Sequence, residues 1–256
     1  NNLLKKSKVS SLFVIWIASP SGVIIYFKLW RIIMNWLTES ITRSKKLRNH
    51  YMLRGIDIYV KDQLPQEIDV DFVIKYVAKR LPDHVLSNID IIYIGHFQDL
   101  VDRDINALWQ NGAIYITNDQ DSEMDMIDDL IHEIAHSNEK QYEQIIYEDG
   151  KLEKEFLYRR KKLAEILVDK NYGVPPGFIY NTDYDKIIDD FLYEKVTYDI
   201  LWQLVPGIFP SPYAATSLRE YWAKGFEQFY MGKRRDLKDT SPILFSKLMQ
   251  LHDLED

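Results

Sequence analysis

Residues 121–137 read Asp121-Ser-Glu-Met-Asp-Met-Ile-Asp-Asp-Leu-Ile-His132-Glu133-Ile-Ala-His136-Ser137. Ile127, Leu130, Ile131, Ile134 and Ala135 recur among acidic residues at helical spacing, so 122–137 is expected to be a helix. Asp121 or Ser122 can cap its N-terminus. Glu123, Asp125, Asp128 and Asp129 suit the positive end of the helix dipole. At 3.6 residues per turn, His132 and His136 share a face and can present both imidazoles to one ion. Glu133 projects from the same turn, beside such an ion rather than on it. Two imidazoles and one further ligand hold zinc with a position left open for water. The metal lowers the pKa of that water towards about 7, and a neighbouring carboxylate can take its proton. The bland alternative is an exposed helix face carrying two ordinary histidines.

A third ligand has to come from elsewhere. The metzincin continuation would place Gly at 139 and His at 142, where this chain has Glu139 and Tyr142. His50, His84, His96 and His252 fall into no ligand spacing. A better source is the stretch Tyr213-Ala-Ala-Thr216-Ser-Leu-Arg-Glu220-Tyr-Trp-Ala223-Lys-Gly-Phe226-Glu227. Leu218, Trp222, Gly225 and Phe229 trace an apolar stripe, so 216–231 is expected to be a helix packed on the core. Glu220 lies on another face, with Ala223 one turn below, small enough to let two helices approach. Glu227, Glu139 and Glu143 compete with Glu220 for the metal, and Glu220 could instead be a solvated residue beside Arg219. Tyr213 could be a loop residue covering apolar surface beside Pro210 and Pro212.

The pairing of His132-Glu133-x-x-His136 with Tyr213-x-x-Thr216-x-x-x-Glu220-x-x-Ala223-x-x-Phe226 resembles the catalytic domain of anthrax lethal factor and its relatives, zinc-dependent endopeptidases of the Glu-zincin group. The resemblance covers about 110–232 and rests on these two motifs. It implies a zincin-like α+β domain with one zinc ion on His132, His136 and Glu220. It also implies Glu133 as general base, and Tyr213 close to the metal, assisting the transition state. The chain departs from the family in the separation of 84 positions from His136 to Glu220, which suggests inserted helices.

Composition suits a compact enzyme. The 256 residues are 46% hydrophobic and 13% aromatic, enough for one sizeable core. A net charge of −7 argues against a nucleic-acid binder dependent on phosphate neutralisation. With no cysteine there is neither a disulfide framework nor a thiolate zinc site. That favours the cytoplasm and leaves a secreted effector or a membrane-associated protein open.

Upstream of the motif, Gly55–Val60 alternates like a strand, 69–80 like a helix, and Ile89–Ile94 like a second strand. Ile105–Trp109 and Ala113–Thr117 flank Asn111-Gly112, a two-residue hairpin signal. The expected architecture is a small mixed sheet with an edge strand, 113–117, before the active-site helix, followed by a mostly helical C-terminal half. In that half Tyr142–Tyr147, Leu152–Lys170 and Tyr184–Leu204 read as helices, the last ending before Pro206. The domain assignment is 51–256 for the catalytic unit and 1–50 for an N-terminal apolar and amphipathic segment. Residues 9–27 carry no charge and follow Lys5, Lys6 and Lys8. Residues 1–33 read as an upstream extension, a membrane-contacting segment or a packed helix. The functional expectation is a zinc endopeptidase acting on a peptide or protein substrate. The alternative is a catalytically silent zincin-fold module whose metal only stabilises it.

Overall fold

The computed structural model describes residues 49–254. The three readings of the N-terminal segment concern 1–33 and lie outside the described residues. Residues 49–254 form an α+β fold on one five-stranded sheet. The strands are β1 (His50–Leu53), β2 (Ile56–Val60), β3 (Ile91–Gly95), β4 (Ala107–Gln110) and β5 (Ala113–Thr117). Their spatial order is β1-β2-β3-β5-β4. β2, β3 and β5 run parallel, with β1 and β4 antiparallel at the two edges.

Strand alternation divides the side chains between two faces. Ile58, Ile92 and Ile114 are register partners and are buried, as are Ile94 and Ile116. The helices α1 (Val70–Arg80) and α3 (Glu123–Asn138) enter this same core through Val73, Val77, Ile127 and Ile131. Tyr59, Tyr93 and Tyr115 stack along the other face with centroids 6.2 and 5.5 Å apart. A short α2 (Gln98–Arg103) joins β3 to β4.

Asn111 and Gly112 both take positive φ, 51° and 83°, as a two-residue hairpin turn requires. The hairpin forms as the sequence suggests, but its strands are ordered differently. The strand 113–117 is not the edge: β5 lies between β3 and β4, and β4 is outermost. The physical reason is burial, since Ile114 and Ile116 are almost fully enclosed, whereas Gln110 on β4 faces water.

The C-terminal half is helical: α4 (Glu143–Ile146), α5 (Lys151–Asp169), α6 (Lys186–Asp190), α7 (Tyr198–Leu204), α8 (Leu218–Tyr230), α9 (Arg234–Thr240) and α10 (Pro242–His252). The single helix expected over Tyr184–Leu204 is instead broken. After α6 the chain makes a π-helical turn at Phe191–Val196, and Thr197 takes φ 72°, ψ 146° before α7 begins. A β-branched residue in that region cannot continue a right-handed helix. Gly225 has a steric cause, because a Cβ there would lie 2.3 Å from Leu244 of α10.

Candidate metal centre

Two serine caps bring the site together. Ser122 Oγ accepts from Asp125 N at 3.2 Å and starts α3. Ser217 Oγ accepts from Glu220 N at 3.2 Å and starts α8, placing Glu220 in its first turn. Met126, Ile127, Leu130, Ile131 and Ile134 are buried in the core, and His132 and His136 lie on the face of α3 that meets Glu220 of α8. The helices approach closely because Ala135 and Ala223 are small and wholly buried. Trp222 Nε1 donates to Ala135 O across the contact at 3.3 Å.

The three expected ligands converge. His132 Nε2 and His136 Nε2 lie 3.0 Å apart, and the Glu220 oxygens lie 3.1 Å from the first and 3.6 Å from the second. For bonds of about 2.05 Å in a tetrahedron, neighbouring ligand atoms sit about 3.3 Å apart. Glu220 Oε2 is buried and has no hydrogen bond of good geometry, despite the nearby imidazole. Two imidazole nitrogens and an orphaned carboxylate oxygen at these separations fit a single cation. His132, His136 and Glu220 form a group that could hold a metal ion.

Each ring is fixed from behind. His132 Nδ1 donates to Glu227 Oε1, and His136 Nδ1 donates to Glu139 Oε1, both at 2.5 Å. This leaves each Nε2 available to an ion, as in metal sites whose ligating histidines pass their second N–H to a carboxylate. Burial alone would lower the pKa of His132. The Glu220 carboxylate close to Nε2 and the hydrogen bond to Glu227 outweigh it and raise the group to about 10. His136 moves the same way through Glu139 and Glu220, again against burial. Burial opposes ionisation of Glu220, but the two imidazoles hold its pKa well below the ordinary carboxylate range. This field favours a cation between the rings, whether proton or metal.

Glu227 is buried and also accepts from Lys224 Nζ at 3.0 Å, while Lys224 reaches Asp128 at 3.3 Å. Burial and then the Glu227 charge raise Asp128 to about 7. Glu139 is closed by Arg219 Nε at 2.9 Å and by the Tyr147 hydroxyl at 3.0 Å.

Glu133 follows His132 on α3 and is buried, its Oε2 accepting the Trp109 backbone N–H at 2.5 Å. Its carboxylate is thus turned towards the outer strand β4. Thr117 N donates to Asn106 O, which sets the ladder's alternation and points the backbone groups of Ala107 and Trp109 away from β5. Tyr213 stands on the α8 side, its ring centroid 6.4 Å from that of His132. Burial and the Glu220 charge raise its phenol pKa, so it stays protonated at neutral pH.

The turn carrying Tyr213 is held by Arg160 of α5, which has no exposure. Its guanidinium donates to the carbonyls of Ala215, Thr216, Phe178 and Asn181 at 2.6–3.0 Å.

Of the residues singled out by sequence, His132, His136 and Glu220 meet, Tyr213 stands beside them, and Glu133 faces β4. Glu143 is exposed. Glu139 and Glu227, weighed as rival ligands, instead hold the imidazoles from the far side. Their spacing carried the signal, with Glu139 three residues after His136 and Glu227 two turns beyond Glu220. Arg160 was missed. It lies in Arg159-Arg160-Lys161-Lys162, which reads as a solvated face.

No protein-family model, no curated protein and no solved structure matches this chain.

Proposed function

We propose that the chain is a zinc-dependent endopeptidase of zincin-like fold, acting on a peptide or protein substrate. The observation that carries this reading is the convergence of His132 Nε2, His136 Nε2 and Glu220, with each imidazole oriented by its own carboxylate. Zinc held there supplies a Lewis acid to water and to the scissile carbonyl. Glu133 receives the proton of the attacking water and passes it to the leaving amine. The protonated Tyr213 hydroxyl donates to the carbonyl oxygen as it becomes tetrahedral. The outward backbone groups of Ala107 and the Trp109 carbonyl offer an extended peptide a strand to pair with. The resemblance of the two motifs to the lethal factor family supports the same assignment.

The competing reading is a metal that only stabilises the fold. The bond from Trp109 N to Glu133 favours it, because it gives that carboxylate a structural task. Glu133→Gln separates the two. As a base, its loss should leave one zinc per chain by metal analysis and lower hydrolysis of a quenched peptide library by roughly 10²–10⁴-fold. A wild-type protein that binds zinc yet cleaves nothing in the library would favour the silent module.

A further inference from the structure

Arg160 sits on α5 with no exposure, its guanidinium between the rings of Phe156 and Phe178, each centroid 4.9 Å from Cζ. Its hydrogen bonds go to four backbone carbonyls, and the charge of Asp185 acts on it without a hydrogen bond. Burying an ion is costly, and an apolar side chain of similar volume often does as well or better for stability. Filling the space between two phenyl rings therefore does not explain a cation here. What its donors hold does.

Nε and Nη2 take successive carbonyls, Ala215 O at 2.8 Å and Thr216 O at 2.6 Å, while Nη1 takes Phe178 O at 3.0 Å and Asn181 O at 2.6 Å. A lysine offers its donors from a single point and cannot span the same carbonyls. Tyr213 opens the short turn that ends at Ala215 and Thr216. Bonds inside the turn fix its shape: Thr216 N and Oγ1 both donate to Tyr213 O, at 3.0 and 2.8 Å, and Ala215 N donates to Pro212 O at 3.1 Å. Its place is set from outside, by Gln228 Nε2 on Pro210 O at 2.6 Å at one end and by Arg160 at the other. Glu220 has anchors of its own. They are the Ser217 cap, Leu218 N on Thr182 O at 2.8 Å, and the Trp222 bond to Ala135 O.

We infer that Arg160 is a positioning residue for Tyr213: through the carbonyls of Ala215 and Thr216 it holds the phenol beside His132, and it leaves the placing of Glu220 to α8. The inference rests on the peptidase reading for its part in turnover, but not for the placing itself. A hydroxyl that must meet one oxygen is sensitive to small shifts, since a misplacement of about 1 Å can cost about 10²-fold in rate. Arg160→Lys keeps the cation and removes the planar fork. It should release the turn while the metal stays.

The test uses the full chain loaded with zinc and titrated by calorimetry with acetohydroxamic acid, a zinc-binding group whose oxygens can accept from the Tyr213 hydroxyl. Tyr213→Phe should weaken this binding about tenfold, as for one lost hydrogen bond to a charged group. Arg160→Lys should lose most of the same factor, and the double variant no more than Tyr213→Phe alone, because both changes remove one interaction. Zinc affinity in Arg160→Lys should fall by less than the roughly tenfold of a lost outer partner. In metal-free protein labelled with 3-fluorotyrosine, the fluorine NMR line that Tyr213→Phe removes should shift in Arg160→Lys. Where the wild type cleaves peptides, Arg160→Lys should lower kcat and leave KM nearly unchanged. Single losses that multiply in the double variant overturn the assignment, as does zinc lost in parallel with hydroxamate. An unmoved fluorine line overturns it whether or not zinc or hydroxamate binds. If neither Arg160→Lys nor Arg160→Gln folds, Arg160 is a support of the whole domain and the assignment falls. A wild type that cleaves nothing yet shows the coupling upholds Arg160 and overturns the peptidase reading alone.

Discussion

The two imidazoles of the candidate metal centre are held by the same chemical device in two different settings. His132 leans on Glu227, whose side chain is 6% exposed and which reaches it from another helix. Behind Glu227 stands Lys224, itself shared with Asp128 of α3, so the support crosses the α3–α8 interface twice. His136 leans on Glu139, three residues on along the same chain, and the cation behind that carboxylate is Arg219, 63% exposed. One support belongs to the packing of the domain, whereas the other is local and closed by a surface side chain together with the Tyr147 hydroxyl. The same bond should therefore matter more on the His132 side, where losing a partner strands buried charge.

The largest effect is expected where the two sides meet. Among the described residues Glu220 is the one carboxylate near both Nε2 atoms, and its Oε2 has no hydrogen-bond partner. Glu220→Ala should weaken zinc binding by more than the 10–100-fold typical of losing an outer partner, read by chelator competition. If that variant keeps its zinc while Glu227→Ala loses it, the ligand is Glu227 and the contrast between inner and outer carboxylates collapses.

Next comes the contrast itself. Glu227→Gln keeps the shape but removes the charge that balances buried Lys224 and orients His132. It should cost about 2 kcal/mol of stability and roughly 10–100-fold in zinc affinity. Glu139→Gln should lower affinity by less, towards the tenfold end, with little change in thermal midpoint, since Arg219 can turn to water. Equal losses of stability in the two variants would show that burial does not distinguish the two supports.

How far this arrangement could be read from the sequence follows the same divide between local and distant causes. His132, Glu133 and His136 were legible because helical spacing alone puts them on one turn, and the Asn111-Gly112 hairpin because its turn demands two positive φ angles. Glu220 required a second motif 84 residues away. The order of β4 and β5 was not legible: either strand of a hairpin can be outermost until parallel pairing with β3 decides. The break at Thr197 lay hidden in an otherwise helical run. Arg160 had no local signature at all, because its four partners are backbone carbonyls from two distant loops.

The smallest effect is expected at Arg219, and it tests the contrast from the weak end. Its Nε donates to both oxygens of Glu139, at 3.1 and 2.9 Å, yet the side chain is largely in water. Such a pair contributes about 0.2–1 kcal/mol, because water screens the attraction and ordering a long side chain offsets part of it. Glu139 also keeps two further bonds without Arg219, to His136 Nδ1 and to the Tyr147 hydroxyl. Arg219→Ala should therefore lower zinc affinity by no more than about threefold, and the difference should shrink in high salt, where the Debye length is only about 3 Å at 1 M. Lys224, on the other side, is 20% exposed and lies between two carboxylates, so Lys224→Ala should cost more in both stability and metal affinity. Should Arg219→Ala prove the more damaging of the two at every salt concentration, the surface cation would be the one holding the site, and the asymmetry between the imidazoles would run the other way.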